Sequence, residues 1–201
     1  MQPTLLIDTR QKRGKHRFKD CYFEAAGLRK LHVCLPYGDY MRMPENLDSS
    51  FYVSAAHISN LYDWNETIPP NDRKAVVEAL RANGGASVDT KQNMQELYGD
   101  LVQQHERFSR ECELGGENLY ILVEQGGIDT LEGVLKWRNP RTAMYYRNKK
   151  LGKPTKGRPP VKNASLVKTM ETMTEKYGTH WVFCSPEDAP KKILEILGFS
   201  A

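Results

Sequence analysis

The sequence predicts an α/β fold in which a central sheet is covered by helices on both faces. Short apolar stretches typical of strands alternate along the chain with stretches that carry apolar residues at helical spacing. Strands and helices that alternate in this way usually build one sheet between two layers of helices. The 201 residues suffice for a single domain, 1–201, with a hydrophobic core of its own.

Residue patterns locate the individual elements. Strands are predicted at 4–8, 30–35, 86–91, 118–124 and 180–184. Helices are predicted at 16–26, 72–82, 92–113, 129–136, 164–177 and 187–197. The apolar stripe of the helix at 92–113 passes through His105, which is therefore expected to be buried or half-buried. Residues 44–70 lack a steady period and hold three prolines, so an irregular segment is expected there.

Composition excludes several classes of protein. No apolar run reaches about 18 residues, so no membrane-spanning helix and no membrane partner are expected. The beginning of the chain lacks the basic and apolar pattern of a secretory signal, which favours a cytoplasmic protein. The cysteines have no spacing typical of a zinc site and are predicted to be small buried side chains. They are Cys21, Cys34, Cys112 and Cys184.

Positive charge is concentrated in one part of the chain. No acidic residue occurs between Glu132 and Glu171, and that interval holds eleven of the 29 Lys and Arg residues. The other 18 basic and 25 acidic residues give the rest of the chain a net charge of −7. Prolines and glycines within 136–162 predict a largely irregular loop. Such a basic loop either neutralises DNA phosphates or is simply solvated.

The candidate DNA contacts lie mainly in this basic loop. Trp137, Tyr145 and Tyr146 are interleaved with its cations and could stack on unpaired bases. Outside the loop, Arg107 lies beside the apolar stripe of its helix and could face a site or the DNA. The predicted DNA-binding residues are Arg107, Lys136, Arg138, Arg141, Arg147, Lys149, Lys150, Lys153, Lys156 and Arg158.

Acidic residues stand at or near the ends of predicted strands. They are Asp8, Asp39, Asp89 and Glu124. Open α/β sheets place their sites beyond strand ends, where side chains from separate strands converge. Gathered carboxylates repel one another unless a cation lies among them, and oxygen-rich clusters suit Mg²⁺ or Mn²⁺. Lys91 follows Asp89 by two residues, so both share one face of a strand, where the lysine could hold a water or neutralise charge on a phosphate.

Each of these residues also has an ordinary structural explanation. An acid at a strand end often caps the next helix, and Asp39 in its Gly-Asp-Tyr sequence could be a turn residue. Lys91 taken alone could be a surface charge. His16 and Glu124 lie either at the rim of a site or in purely structural positions. The joint placement of the acids, the lysine and the basic loop favours chemistry on a phosphodiester.

Several stretches resemble the XPF-type nuclease domains of the restriction-endonuclease-like, PD-(D/E)xK superfamily, in particular the small versions of bacteriophages and mobile elements. They are LLIDTRQK at 5–12, LPYGDYM at 35–41, SVDTKQNMQELYGDL at 87–101, HERFSREC at 105–112 and LYILVE at 119–124. The resemblance implies a mixed central sheet flanked by helices. It also implies a metal-dependent DNA endonuclease, selective for branched or flapped DNA, in phage replication, recombination or repair within the bacterial host cytoplasm.

The resemblance also implies roles for individual residues. Asp39, Asp89 and the backbone carbonyl of Thr90 would bind Mg²⁺, with Mn²⁺ as a substitute, and Asp8 would add charge for the metal site. Lys91 would position the attacking water or stabilise the phosphorane. Arg10 would be a phosphate clamp, or would form a salt bridge to Asp8 or Asp39 that organises the site.

The sequence departs from the family pattern at several points. Gln11 stands where a glutamate is usual, Thr90 replaces an arginine, and Asp89 replaces a glutamate. These changes leave open a second function, a DNA-binding module with a weak or inactive nuclease fold. Residues 44–86 are an insertion relative to the family, with three open roles: recruiting a protein partner, clamping DNA or forming a homodimer.

Overall fold

The computed structural model describes residues 4–11, 14, 16–44, 70–155 and 159–199. Most of the predicted irregular segment, residues 45–69, lies outside the described residues, as do Lys156 and Arg158. The role of the insertion therefore stays a prediction. In the described part of the chain, no helix is long and apolar enough to cross a membrane.

Six strands of the described residues form one mixed sheet. They are β1 (Thr4–Asp8), β2 (Arg29–Val33), β3 (Tyr40–Arg42), β4 (Ser87–Lys91), β5 (Leu119–Glu124) and β6 (His180–Cys184). Their order across the sheet is β2-β1-β3-β4-β5-β6. Strand β3 is antiparallel to both of its neighbours, whereas the other pairs are parallel. The predicted α/β class with a mixed sheet is confirmed.

Helices cover both faces of this sheet. Those of the described residues are α1 (Arg17–Ala25), α2 (Pro70–Asn83), α3 (Met94–Val102), α4 (His105–Gly115), α5 (Leu131–Leu135), α6 (Pro140–Lys150), α7 (Asn163–Tyr177) and α8 (Ala189–Ile196). On one face, Phe23 of α1 and Ile193 of α8 pack into an apolar cluster. On the other face, Leu97, Phe108 and Met170 bring α3, α4 and α7 into a larger cluster. Two buried layers therefore hold the sheet between them.

The single helix predicted at 92–113 was wrong, because the chain breaks it between α3 and α4. The backbone N–H groups of Gln103 and Gln104 both donate to the carbonyl of Gly99, at 2.8 and 3.1 Å. His105 begins α4 and is exposed, contrary to the prediction. Leu101 and Phe108 remain buried on either side of the break. Because the apolar stripe continues across it, the sequence pattern alone could not show the interruption.

The described flanks of the basic segment are irregular, as predicted, but its centre is the helix α6, which the sequence had not predicted. Pro140 occupies the first turn, where a proline needs no hydrogen-bond partner. The side chain of Asn139 caps this end by accepting from the N–H of Arg141 at 3.0 Å. No residue of α6 is buried. The helix therefore lacks the apolar face by which sequence patterns reveal helices.

The prediction that the four cysteines are buried is correct for two of them. Cys112 and Cys184 are buried, Cys34 is half-buried and Cys21 is exposed. Cys21 lies on the outer side of α1, whereas Phe23 of the same helix is fully buried. The sequence around Cys21 was apolar enough to suggest burial, but the helix presents that position to solvent.

A short reversed strand determines where Asp39 lies. The sequence had placed Asp39 at the end of the second strand, but Asp39 instead precedes β3, on the other side of β1. Gly38 makes this entry possible with a φ of +70°. A Cβ at Gly38 would collide with the Ser87 hydroxyl and would lie 3.2 Å from the carbonyl oxygen of Val88. Only glycine fits this approach of β3 to β4.

We expect Gly38→Ala to destabilise the protein by about 1–3 kcal/mol, because alanine is strained at this φ and overpacks against β4. Urea denaturation followed by circular dichroism would measure the change in the free energy of unfolding. Gly85→Ala is the matched control, since a Cβ at Gly85 would meet no atom within 4 Å. Equal stability of the two variants would contradict this explanation of Gly38.

Candidate active site

One edge of the sheet gathers the acids that the sequence placed at strand ends. The parallel strands β1, β4 and β5 end there, and the reversed β3 begins there. The N–H of Asp8 donates to the carbonyl of Asp39 at 2.9 Å, and the N–H of Asp39 donates to the carbonyl of Val88 at 2.8 Å. Asp39 is thus tied through its backbone to β1 on one side and to β4 on the other.

A cavity of about 1100 Å³ opens at this edge. Every residue for which a catalytic or metal-binding role was predicted lines it: Asp8, Arg10, Asp39, Asp89, Thr90 and Lys91. In all, six carboxylates and four Lys or Arg side chains line the cavity among the described residues. The structure therefore brings the predicted site residues together in a single, predominantly acidic hollow.

Lys91 lies at the centre of this charge arrangement. Its Nζ is 2.6 Å from Oδ2 of Asp89, as the shared strand face predicted, and 2.8 Å from Oδ2 of Asp100. It also lies 5.0 Å from the centre of the Phe108 ring. Burial lowers the pKa of Lys91, but the two carboxylates outweigh burial and raise that pKa above its ordinary value. The ammonium is thus held charged in a buried position.

Asp89 is a buried carboxyl whose partner is Lys91. Burial raises its pKa well above the ordinary value; Lys91 opposes this shift, and the charges of Asp39 and Glu111 add to it. Oδ2 of Asp89 lies 2.6 Å from Nζ of Lys91, so the buried carboxyl and the buried ammonium form a direct ion pair.

Asp39 is oriented by neutral contacts from Thr90 and Gln11. Its Oδ2 accepts hydrogen bonds from the backbone N–H of Thr90 at 2.9 Å and from the Thr90 hydroxyl at 2.5 Å. Gln11 donates from Nε2 to the carbonyl of Asp39 at 3.3 Å. Two of the residues that the sequence analysis named as departures from the expected pattern therefore contact Asp39.

Asp8 and Arg10 form the salt bridge that sequence analysis had left open. Nε of Arg10 lies 2.7 Å from Oδ2 of Asp8, and another guanidinium nitrogen donates to the carbonyl of Leu35 at 2.9 Å. The Arg10 side chain remains 59% exposed, so it also reaches the mouth of the cavity. Burial raises the pKa of Asp8 to about 6, and the charge of Arg10 opposes this rise.

Sequence reasoning missed Asp100 and Glu111, and it left open whether Arg107 faces the site or the DNA. Asp100 bridges Lys91 to Arg107, whose guanidinium lies 2.9 Å from Oδ1 of Asp100. Glu111 accepts from the N–H of Gly38 at 3.2 Å. An acid at position 100, beside the apolar Leu97 and Leu101 of α3, was the one available indication. Asp100, Glu111 and Arg107 all line the cavity.

The basic segment lies apart from this cavity. Its described cations are all exposed, and none of them lines the cavity: Lys136, Arg138, Arg141, Arg147, Lys149, Lys150, Lys153 and Lys162. The segment is attached at both ends, because Asn163 donates to the carbonyl of Trp137 at 2.7 Å and the Tyr98 hydroxyl accepts from Val161 at 3.0 Å. The Trp137 ring packs 6.2 Å from Tyr98, whereas Tyr146 is 56% exposed.

The donors around the cavity suit a hard cation in their chemistry. Asp8, Asp39 and Asp89 offer carboxylate oxygens, which Mg²⁺ and Mn²⁺ prefer over softer ligands. In the arrangement of the described residues, however, no group of three His, Cys, Asp or Glu side chains is placed to hold a metal ion. The donor types therefore fit the cation, while a complete ligand shell is not assembled.

Comparisons with known proteins show similarity of fold. No protein-family model matches the chain, and no curated protein matches it in sequence. Among solved structures, XPF from Aeropyrum pernix matches with 15% sequence identity and a TM-score of 0.48. The match covers 96% of this chain and 63% of that chain. This similarity concerns the fold alone, and the resemblance to small bacteriophage versions stays a prediction.

We expect Asp8→Asn to stabilise the metal-free protein at pH 8 by up to about 3 kcal/mol, which is the free energy of raising a carboxyl pKa from 3.8 to about 6. A raised pKa means that the folded state binds the proton more tightly. Wild-type stability therefore falls as the pH rises from about 4 to about 6, and Asn removes that loss.

Urea denaturation in EDTA at pH 4 and pH 8 would measure this effect. The two proteins should be nearly equal in stability at pH 4 and should differ at pH 8. Asp129→Asn, at an exposed position, should leave the free energy of unfolding unchanged at both pH values. A stability difference between wild type and Asp8→Asn that does not depend on pH would contradict the raised pKa of Asp8.

Proposed function

We propose that this protein is a metal-dependent DNA endonuclease that hydrolyses phosphodiester bonds. The observation that carries the proposal is the arrangement of Lys91 between Asp89 and Asp100, in a cavity that Asp8 and Asp39 also line. A charged lysine that is buried together with its two carboxylate partners is costly to maintain. An active site that stabilises charge on a phosphoryl group uses such an arrangement.

A Mg²⁺ or Mn²⁺ ion is the cofactor that the donor set supports. Asp39, Asp89 and the backbone carbonyl of Thr90 would hold it, and Asp8 would add negative charge nearby. The bound ion would polarise the phosphate and lower the pKa of a water ligand. Support comes from the carboxylates of Asp8, Asp39 and Asp89, which line the same cavity and offer only oxygen donors.

The side chains of the chain itself have separable tasks in this proposal. Lys91 holds the attacking water or stabilises the negative charge that develops on the phosphorane. Asp100 positions Lys91 through the 2.8 Å salt bridge. Arg10 and Arg107 each have about 60% of the side chain exposed at the cavity, where they can contact phosphates that flank the scissile bond.

The basic segment supplies the affinity for DNA in this proposal. Its exposed Lys and Arg side chains would neutralise phosphates and release counterions. Tyr145 and Tyr146 of α6, with ring centres 5.4 Å apart, would stack on unpaired bases. Stacking of this kind favours DNA with single-stranded character, which supports selectivity for branched or flapped substrates. Replication, recombination or repair of phage DNA is the setting that the sequence resemblance suggests.

A second function, a DNA-binding module without turnover, is favoured by two observations. The described residues hold no assembled group of three ligands for a metal ion, and Lys91 is already neutralised by two carboxylates. If no cation binds, the cavity has no means of activating water. The exposed cations of the basic segment would still bind DNA in this case.

Cleavage assays distinguish the two functions. Labelled flap, fork, duplex and single-stranded DNA would be incubated with the protein in Mg²⁺, Mn²⁺ or EDTA. The endonuclease proposal requires cleavage that depends on the metal, whereas binding without cleavage in every condition supports the module. The same reactions on RNA would show whether cleavage requires deoxyribose.

We expect Lys91→Met to reduce turnover by at least about 100-fold while leaving DNA affinity within about two-fold of wild type, because Lys91 acts on the reacting phosphate. Asp39→Asn with Asp89→Asn should abolish the dependence on metal together with cleavage. Lys191→Met is the matched control, because Lys191 is 62% exposed on α8. Circular dichroism would verify folding, and full activity of Lys91→Met would refute the assigned role.

We expect Lys149→Ala with Lys150→Ala to make the salt dependence of DNA binding shallower. The negative slope of log affinity against log salt should lose roughly two in magnitude, since each lysine that contacts a phosphate contributes about one. Fluorescence anisotropy with a labelled fork would measure the slope. Lys191→Ala with Lys192→Ala removes the same charge from α8 and should leave the slope unchanged. Equal slopes for the two double variants would mean that α6 is a solvated helix.

A further inference from the structure

A groove of about 450 Å³ lies between helices α4 and α7, and we call it the α4–α7 groove. From α4, His105 and Ser109 line it. The residues of α4 that line the acidic cavity lie on the opposite side of this helix: Arg107, Arg110 and Glu111. Helix α4 is therefore the wall that separates the acidic cavity from the α4–α7 groove.

The lining of the α4–α7 groove carries positive charge and no negative charge. Lys168 and Lys176 of α7 line it, and no Asp or Glu of the described chain does so. The two helices nevertheless hold five glutamates, all of which lie outside the lining: Glu106, Glu111, Glu113, Glu171 and Glu175. The groove is thus opposite in charge to the neighbouring cavity, which six carboxylates line.

One stripe of α7 supplies the two cations. Its members recur at spacings that keep them on one side of a helix: Ser165, Lys168, Thr169, Thr172 and Lys176. The hydroxyls of Thr169 and Thr172 donate to carbonyls of their own helix at 2.9 and 2.8 Å. The ammonium groups of the two lysines are therefore the donors that would attract an anion to this groove.

Neither lysine is neutralised by a carboxylate. Lys168 and Lys176 are exposed, and no acid among the described residues forms a salt bridge with either. Nζ of Lys176 lies 4.8 Å from the centre of the Tyr177 ring. The contact with Tyr177 and, less strongly, the charge of Glu113 raise the pKa of Lys176. In contrast to Lys91, which is held between two carboxylates, both groove lysines can pair with an external anion.

We propose that the α4–α7 groove binds the phosphate backbone of a duplex arm of the DNA substrate through Lys168 and Lys176. This inference rests on the proposed function in taking DNA as the substrate, and it adds a second DNA surface to the basic segment. The two lysines are eight residues apart, which corresponds to about 12 Å along the helix. A duplex carries one phosphate for about every 1.7 Å of its axis, so a duplex that lies along α7 presents phosphates to both lysines.

The lining of the groove favours a duplex over single-stranded DNA. Surfaces that bind unpaired bases offer exposed aromatic rings on which the bases stack. In the groove, Tyr177 is half-buried and its ring contacts the ammonium group of Lys176. On α6, by contrast, Tyr146 is 56% exposed. Positive charge without an exposed ring suits the regular phosphate backbone of a duplex.

The groove lies between the basic segment and the acidic cavity along the surface. Helix α7 begins at the basic segment, where Asn163 donates to the carbonyl of Trp137 at 2.7 Å. On its other side the groove is separated from the acidic cavity by α4 alone, and a helix is about 10–12 Å across. A branched DNA then places its unpaired strand on α6 and its duplex arm in the groove. Selectivity for branched DNA follows from the need for both surfaces.

Binding assays in EDTA test the proposal without cleavage. For a duplex, Lys168→Ala with Lys176→Ala should reduce the magnitude of the negative slope of log affinity against log salt by roughly two. Lys168→Arg with Lys176→Arg should retain the wild-type slope. Lys191→Ala with Lys192→Ala removes the same charge from α8 and is the matched control. Duplex binding of the groove variant that equals that of the control, or an equal loss with single-stranded DNA, would overturn the proposal.

Protection of lysines from acetylation maps the contact in the unsubstituted protein, where misfolding of a variant plays no part. A duplex added in EDTA should slow the acetylation of Lys168 and Lys176, as followed by mass spectrometry of the digested protein. Lys191, whose side chain is 62% exposed on α8, should react as it does without DNA. If the duplex leaves the acetylation of the groove lysines unchanged, the proposal is wrong.

The two proposals fail in different ways. If wild type cleaves no DNA with Mg²⁺ or Mn²⁺ but a duplex protects Lys168 and Lys176, the endonuclease function fails and the groove remains a DNA surface. If wild type cleaves a fork and the groove variant binds duplex as the α8 control does, only the groove proposal fails.

Discussion

The reversal of one short strand is the constraint on which the site depends. Strand β3 has only three residues, yet it separates β1 from β4 and runs against both. Because it is reversed, its first residues lie beside the last residues of its neighbours. A parallel β3 would carry Asp39 to the opposite edge of the sheet, far from Asp8 and Asp89. The positive φ of Gly38 is the local feature that allows this entry.

The charges gathered at this edge are costly for a stable fold. Burial raises the pKa of Asp8 and of Asp89, so both carboxyls resist ionisation in the folded state. Lys91 offsets part of this cost at Asp89, and a second buried lysine, Lys19, does the same for Glu124. Buried ion pairs seldom stabilise a protein more than apolar residues of the same size would. Stability alone therefore gives no reason for this fold to bury them.

The sequence predicted those features of the site that depend on local geometry. The two-residue spacing of Asp89 and Lys91 fixed their common face, and the acids at strand ends fixed the edge of the sheet. Asp100 was missed because its partners Lys91 and Arg107 belong to other elements, β4 and α4. Glu111 and Lys19 were missed because their partners, Gly38 and Glu124, are far away in the chain. The helix break before His105 was hidden by an apolar stripe that continues across it. Helix α6 was missed because it buries no residue and so has no apolar period.

The acidic cavity and the basic segment are separate regions of the protein surface. A phosphate that enters the cavity meets more carboxylates than cations, so the cavity by itself attracts DNA weakly. The exposed cations of α6 and its flanks lie outside the cavity and are attached to the protein body through Asn163 and Tyr98. In the proposed endonuclease, DNA held by these cations would have to cross the surface between the two regions to reach Lys91. Most of the affinity would then come from residues outside the cavity, whereas Arg10 and Arg107 would contact only the phosphates close to the reacting bond.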